Sequence, residues 1–222
     1  MRMKIHKKLF IGLILAILYG NIGSSQTNDT LQGIPKLRQL IKQKKVSEAK
    51  SELNQQIDQL KKQEHWDSLA RYVEFVGSYA LSQNNWEIAL QKTTLFVEEL
   101  AALNLPDVSK YAYKELAWVQ DEAGRPDLSL KSLEIALEAA KKGDPNKPPK
   151  EEDMVYNMGY YASAKGDYLL AKKMYKKSLD YYKKEGAPDY VSYQQVYNAL
   201  GGIMWMEGKM DSCNYYFQQS LE

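Results

Sequence analysis

Cys213 and His65 are the side chains best suited by type to nucleophilic or metal chemistry, and their isolation argues against both. The chain has one cysteine and two histidines, the other being His6 in the leader discussed below. A zinc site built from a histidine pair or from clustered Cys and His therefore has no sequence basis. A reactive thiol needs an electropositive, partly exposed setting and a base; Cys213 instead falls in a row of small residues and reads as an alanine substitute. His65 reads as a loop or helix-edge residue. "GIMWMEGKM", Gly202 to Met210, resembles a phosphate loop only superficially. Five residues separate Gly202 from Gly208 where such loops have four, and Met210 stands where Ser or Thr would hold magnesium. Asn28-Asp29-Thr30 is a glycosylation sequon. No catalytic residue, cofactor or metal is expected.

The beginning of the chain has a different chemistry. Arg2, Lys4, Lys7 and Lys8 precede an apolar run from Leu9 to Tyr19 broken by Gly12, and Gly23-Ser24-Ser25-Gln26 follows. This order predicts a secretory signal peptide over 1–25, cleaved after Ser25, with membrane contact only during export. The apolar run is about half of the ~20 residues a bilayer span requires. The expected location is periplasmic, cell-surface or secreted. Cleavage would remove four of 30 Lys and Arg and none of 28 Asp and Glu, leaving a formal charge of −2. A nearly neutral chain lacks the clustered positive charge that nucleic acid demands. With one cysteine, no intramolecular disulfide can form, so packing alone must hold the fold.

The elements that must carry any function emerge from an internal repeat. "VYNMGYYASAKGDYLLAKKMYKKSL", residues 155–179, superposes on "YNALGGIMWMEGKMDSCNYYFQQSL", residues 197–221. Gly159 meets Gly201, Gly166 meets Gly208, Ala171 meets Cys213, Tyr175 meets Phe217 and Leu179 meets Leu221, each 42 residues apart. The same step back from Gly166 reaches Gly124. Further steps of 40 residues reach Gly77, Trp86 and Ala89, then Val46, Ala49 and Leu53. Each copy reads as two amphipathic helices joined by a tight turn. In the fourth, Gly166 suits a left-handed helix end and Asp167 caps the next helix. The expected copies span about 31–64, 66–105, 107–147, 150–188 and 190–222, all within a repeat domain over 26–222. No strand alternation is evident.

Met158-Gly159, Gly166-Asp167-Tyr168, Ala171, Tyr175 and Ser178-Leu179 resemble the tetratricopeptide repeat in its longer, 40- to 42-residue form. The resemblance implies an all-α, right-handed superhelical solenoid of about five helical hairpins. Gly77, Ala117, Gly159 and Gly201 are then the positions where the first helix presses against the second, facing a small-residue row of Ala89, Ser129, Ala171 and Cys213. It further implies a concave groove, lined by the first helices, that binds a protein or an extended peptide. On this chain that row comprises Arg71, Glu74 and Ser78; Tyr111, Lys114, Trp118 and Asp121; Tyr156 and Tyr160; and Asn198 and Trp205. Trp118 and Trp205 can equally pack between helices. Two readings follow: a stand-alone exported scaffold, or the sensor region of a larger protein with a downstream CHAT-type protease or signalling kinase. Phe217 and Leu221 fall on the face a further repeat would cover, so self-association there is expected.

Overall fold

In the computed structural model, residues 33–82, 85–186 and 193–221 are described. The signal segment, the Asn28 sequon and the Pro188 connection lie outside them. Eleven helices follow one another with no strand among the described residues: α1 Gly33–Lys42, α2 Val46–Lys62, α3 Trp66–Ala70, α4 Val73–Ser82, α5 Trp86–Ala101, α6 Pro106–Glu122, α7 Pro126–Ala140, α8 Glu151–Lys165, α9 Tyr168–Glu185, α10 Tyr193–Met206 and α11 Met210–Gln219. They form five hairpins. The first helix of the second hairpin is divided into α3 and α4, where i→i−3 hydrogen bonds from Arg71 N to Ser68 O and from Tyr72 N to Leu69 O tighten the backbone.

The turns within hairpins repeat one hydrogen-bond pattern. Gly124, Gly166 and Gly208 take positive φ of 72°, 89° and 72°, and the next amide reaches back five residues: Arg125 to Gln120, Asp167 to Ala162 and Lys209 to Met204. This closure satisfies carbonyls that the helix end leaves open. The first hairpin closes the same way, Lys45 N to Leu40 O, with Lys44 at φ 57° in place of glycine. A left-handed lysine costs about 1–2 kcal/mol, so the turn survives although its sequence signal is lost. Side-chain caps then restart the chain, Asn85 accepting from Ile88 N and Asp167 from Leu170 N, while Pro106 and Pro126 open α6 and α7.

The glycines inside first helices make room for large residues, which corrects the expected close approach to a small-residue row. A Cβ on Gly159 would stand 2.8 Å from Tyr175 Cδ1 and Cε1, and one on Gly201 would stand 2.7 Å from Phe217 Cε1. Gly77 instead faces Val119 of the next hairpin's first helix. Ala89, Ser129, Ala171 and Cys213 are all buried, and Ala171 and Cys213 lie one helical turn before Tyr175 and Phe217. The partner lies 16 residues after the glycine in the fourth and fifth hairpins, which places a ring rather than a methyl against the bare backbone.

A buried lysine fixes the longest connection. Lys110 Nζ donates to the carbonyls of Asp144 and Lys147 at 2.9 and 2.8 Å and pairs with Asp107 at 2.9 Å. All three ammonium protons are thereby used. Asp107 also accepts from Asp144 N, and Lys147 reaches Asp67 on α3. The 141–150 segment is thus tied to the starts of α3 and α6.

Candidate binding face

On each first helix, the residues left partly or fully exposed recur in register. Glu74, Lys114, Tyr156 and Asn198 form one row; Ser78, Trp118, Tyr160 and Gly202 form the next. Arg38 stands 40 residues before Ser78 and extends the second row into the first hairpin. Packing of α4 on α6 aligns these rows across the second and third hairpins, and packing of α8 on α10 aligns them across the fourth and fifth.

Two clusters form. In the first, Arg71 lies over the Tyr111 ring at 5.7 Å, Arg38 lies over Phe75 at 5.7 Å, and Lys114 Nζ donates to Glu115 Oε1 at 2.8 Å. Burial and then the neighbouring Glu115 charge push the Glu74 carboxyl up to about 7, against the opposing pull of Arg38 and Lys114. Burial alone would lower the Lys114 ammonium, but Glu115, Tyr111 and Glu74 outweigh it and hold the group above its ordinary range. Arg38 Nε is buried with no hydrogen-bond partner.

The second cluster is aromatic and acidic. Tyr160, 49% exposed, stands edge-on to Tyr161 at 5.5 Å, and Tyr156 tilts against Tyr175 at 5.7 Å. Asp121 and Glu122 end α6 beside them. Desolvation lifts Asp121 to about 6 and raises Glu122, with Asp121 adding to the effect on Glu122. The Tyr160 and Tyr161 phenols are raised by burial first and then by the Asp121 charge.

The remaining predicted residues are placed differently. Trp118 packs beside Trp86 against Ala89, so its ring serves the junction between hairpins. Ser78 and Asn198 lie on the face outside both clusters, and Trp205 is 60% exposed near the end of α10. Sequence reasoning missed Arg38, Glu115, Glu122 and Tyr161. The 40-residue step identifies Arg38 once the first hairpin is registered; the others carry no signal beyond adjacency to a predicted residue. A separate cleft of about 380 Å³, lined by Pro106, Tyr113, Ile135 and Lys142 among others, contains none of the predicted row. No group of three or more His, Cys, Asp or Glu among the described residues could hold a metal, and no described helix is long and apolar enough to cross a membrane.

Comparison with solved structures decides the architecture. The chain superposes on the kinesin light chain TPR-like repeats of Podospora anserina with a TM-score of 0.64 at 15% identity, covering 88% of this chain and 95% of that one. The fold is a TPR-like solenoid. BtubC (BKLC) from P. vanneervenii matches with a TM-score of 0.58 at 13% identity over 87% of each chain. The apo quorum sensor NprR from B. thuringiensis matches with a TM-score of 0.57 at 20% identity, covering 97% of this chain and 60% of NprR. No protein-family model matches the sequence, and a search of curated proteins found no match.

Proposed function

We propose that this solenoid is a non-catalytic, exported scaffold that binds an extended protein segment along its first-helix face. The observation that carries this reading is the pair of registered rows, Arg38 to Gly202 and Glu74 to Asn198, in which aromatic rings and charges of both signs remain partly exposed across successive hairpins. Aromatic and arginine side chains supply most anchoring energy in protein interfaces. A face assembled on rigid helices also needs little ordering when a segment binds. Selection of twelve-residue peptides by display on the chain tests the reading. Selected peptides should lose binding to a Tyr160→Ala variant, which removes a half-exposed ring, while its helical content and melting temperature stay nearly unchanged. Undiminished binding to that variant would refute it. Export is tested by the intact mass of protein from the cell envelope, which should correspond to a chain beginning at Gln26; a mass retaining Met1 would contradict cleavage.

A further inference from the structure

The first-helix face changes character between its two clusters. In the first, Glu115 is paired with Lys114, and Arg38 and Arg71 lie over rings. In the second, Asp121 and Glu122 form no side-chain hydrogen bond or ion pair with any described residue. The neighbouring elements add rings rather than cations. Tyr160 and Tyr156 stand one turn apart on α8, Tyr161 lies behind Tyr160, and Tyr175 supports Tyr156 from α9.

Two observations show that this cluster is open to a ligand. Tyr161 is only 5% exposed as a residue, yet its hydroxyl makes no hydrogen bond among the described residues and, unlike the enclosed hydroxyls of Tyr72 and Tyr182, reaches the surface. Asp121, Glu122 and Glu115 all act on that phenol, which places it at the acidic end of the face. Secondly, Gly202 occupies the position held by Trp118 and Tyr160 in the two preceding hairpins, and a Cβ built there meets nothing within 4 Å. The row is therefore open immediately beyond Tyr160.

Unpaired carboxylates, exposed ring surface and an adjoining gap call for one kind of side chain. A guanidinium can stack on a tyrosine face while its N–H groups are shared between carboxylates and a phenolic oxygen. We infer that the Asp121, Glu122, Tyr156, Tyr160 and Tyr161 cluster receives an arginine side chain of the bound segment, whose backbone continues past Gly202 toward Trp205. This inference rests on the binding face proposed above and specifies the chemistry of its occupant.

Fluorescein-labelled hexa-arginine, hexaglutamate and a neutral Gly-Ser hexapeptide, titrated onto the chain by fluorescence anisotropy, test it. Hexa-arginine should bind, and Asp121→Asn with Glu122→Gln should weaken it by about tenfold, the loss expected for two partly desolvated charge contacts. Removing the same charge elsewhere, with Glu98→Gln and Glu134→Gln on exposed second-helix positions, should change affinity by less than about twofold. Tyr161→Phe preserves packing and removes only the hydroxyl, so a several-fold loss there distinguishes use of the phenol from damage to the fold. Equal losses for the two charge-neutralised variants would show non-specific attraction and overturn the inference. Preferential binding of the neutral or acidic peptide at the tyrosines, followed by fluorine resonances from fluorotyrosine, would overturn it while leaving the binding face intact. No movement of those resonances with any of the three peptides would overturn both.

Discussion

Gly159 and Gly202 both sit inside first helices, and substituting alanine at each should move stability in opposite directions. Intrinsic propensity favours alanine at both by up to about 1 kcal/mol. At Gly202 nothing lies within 4 Å of the new methyl, so that gain should be retained. At Gly159 the methyl would stand 2.8 Å from two Tyr175 ring atoms and 3.1 Å from its Cγ, the root of the ring. Tyr175 is 2% exposed and cannot swing away. Overpacking of this kind costs about 1–3 kcal/mol, leaving Gly159→Ala neutral to about 2 kcal/mol destabilised. The two variants should therefore differ by about 1–3 kcal/mol, or several degrees in melting temperature for a chain of this size. Thermal melts followed by circular dichroism measure the difference. Hydrogen exchange should place the Gly159 damage in α8, α9 and their neighbours, because solenoid hairpins contact only adjacent ones. Tyr175→Leu should relieve much of the cost in the double variant, giving a measurable coupling. A stabilising Gly159→Ala, or equal effects at the two sites, would refute the ring-on-glycine account.

Three other outcomes follow from the structure. Lys110→Met should cost about 3 kcal/mol by taking a donor from each of two loop carbonyls and one of three partners from Asp107, and limited proteolysis should show faster cleavage within 141–150; an unchanged digestion pattern would contradict the anchoring role. Stability should rise as pH falls from 7.5 to 5.5: Glu74 and Asp121 titrate near 7 and 6 when folded but near 4.5 and 3.8 when unfolded, so the folded chain takes up more protons across that window. Asp107, held below its ordinary range by hydrogen bonds and charge from Lys110 and Lys147 that outweigh its desolvation, stays ionised there. Glu74→Gln should flatten the trend, read from melts across pH. Phe217 is 39% exposed where its counterpart Tyr175 is 2%, and Leu221 is 85% exposed where Leu179 is 7%, so the chain should self-associate with concentration in sedimentation experiments and Leu221→Glu should suppress it.

The hairpins were legible because their signals are local. Gly124, Gly166 and Gly208 carry the backbone freedom their turns use, and a 42-residue step links them. The earliest turn was harder to read because Lys44 adopts the same conformation without the same residue. The glycines of the first helices signalled a tight contact but not its partner: a small-residue row suggests methyl against backbone, whereas Tyr175 and Phe217 lie against Gly159 and Gly201. On the candidate face, helical period and register located Lys114, Tyr156 and Tyr160. They could not show that Trp118 turns toward Ala89, or that the Asp121 and Glu122 charges act on the Tyr161 phenol of another hairpin. Such contacts depend on how consecutive hairpins stack, which no single copy encodes.

In the proposed binding mode, a bound segment lies across the first helices. Photo-crosslinking of a display-selected peptide to chains carrying benzoylphenylalanine at Ser78, Asn198, Leu95 or Ile135, one position at a time, tests it most directly. Ser78 and Asn198 belong to first helices α4 and α10, whereas Leu95 and Ile135 are exposed on second helices α5 and α7. Adducts should form at positions 78 and 198 and be competed away by an unlabelled copy of the peptide, with little at 95 or 135. Dominant, competable adducts at 95 or 135 would place the partner on the second helices and contradict binding across the first.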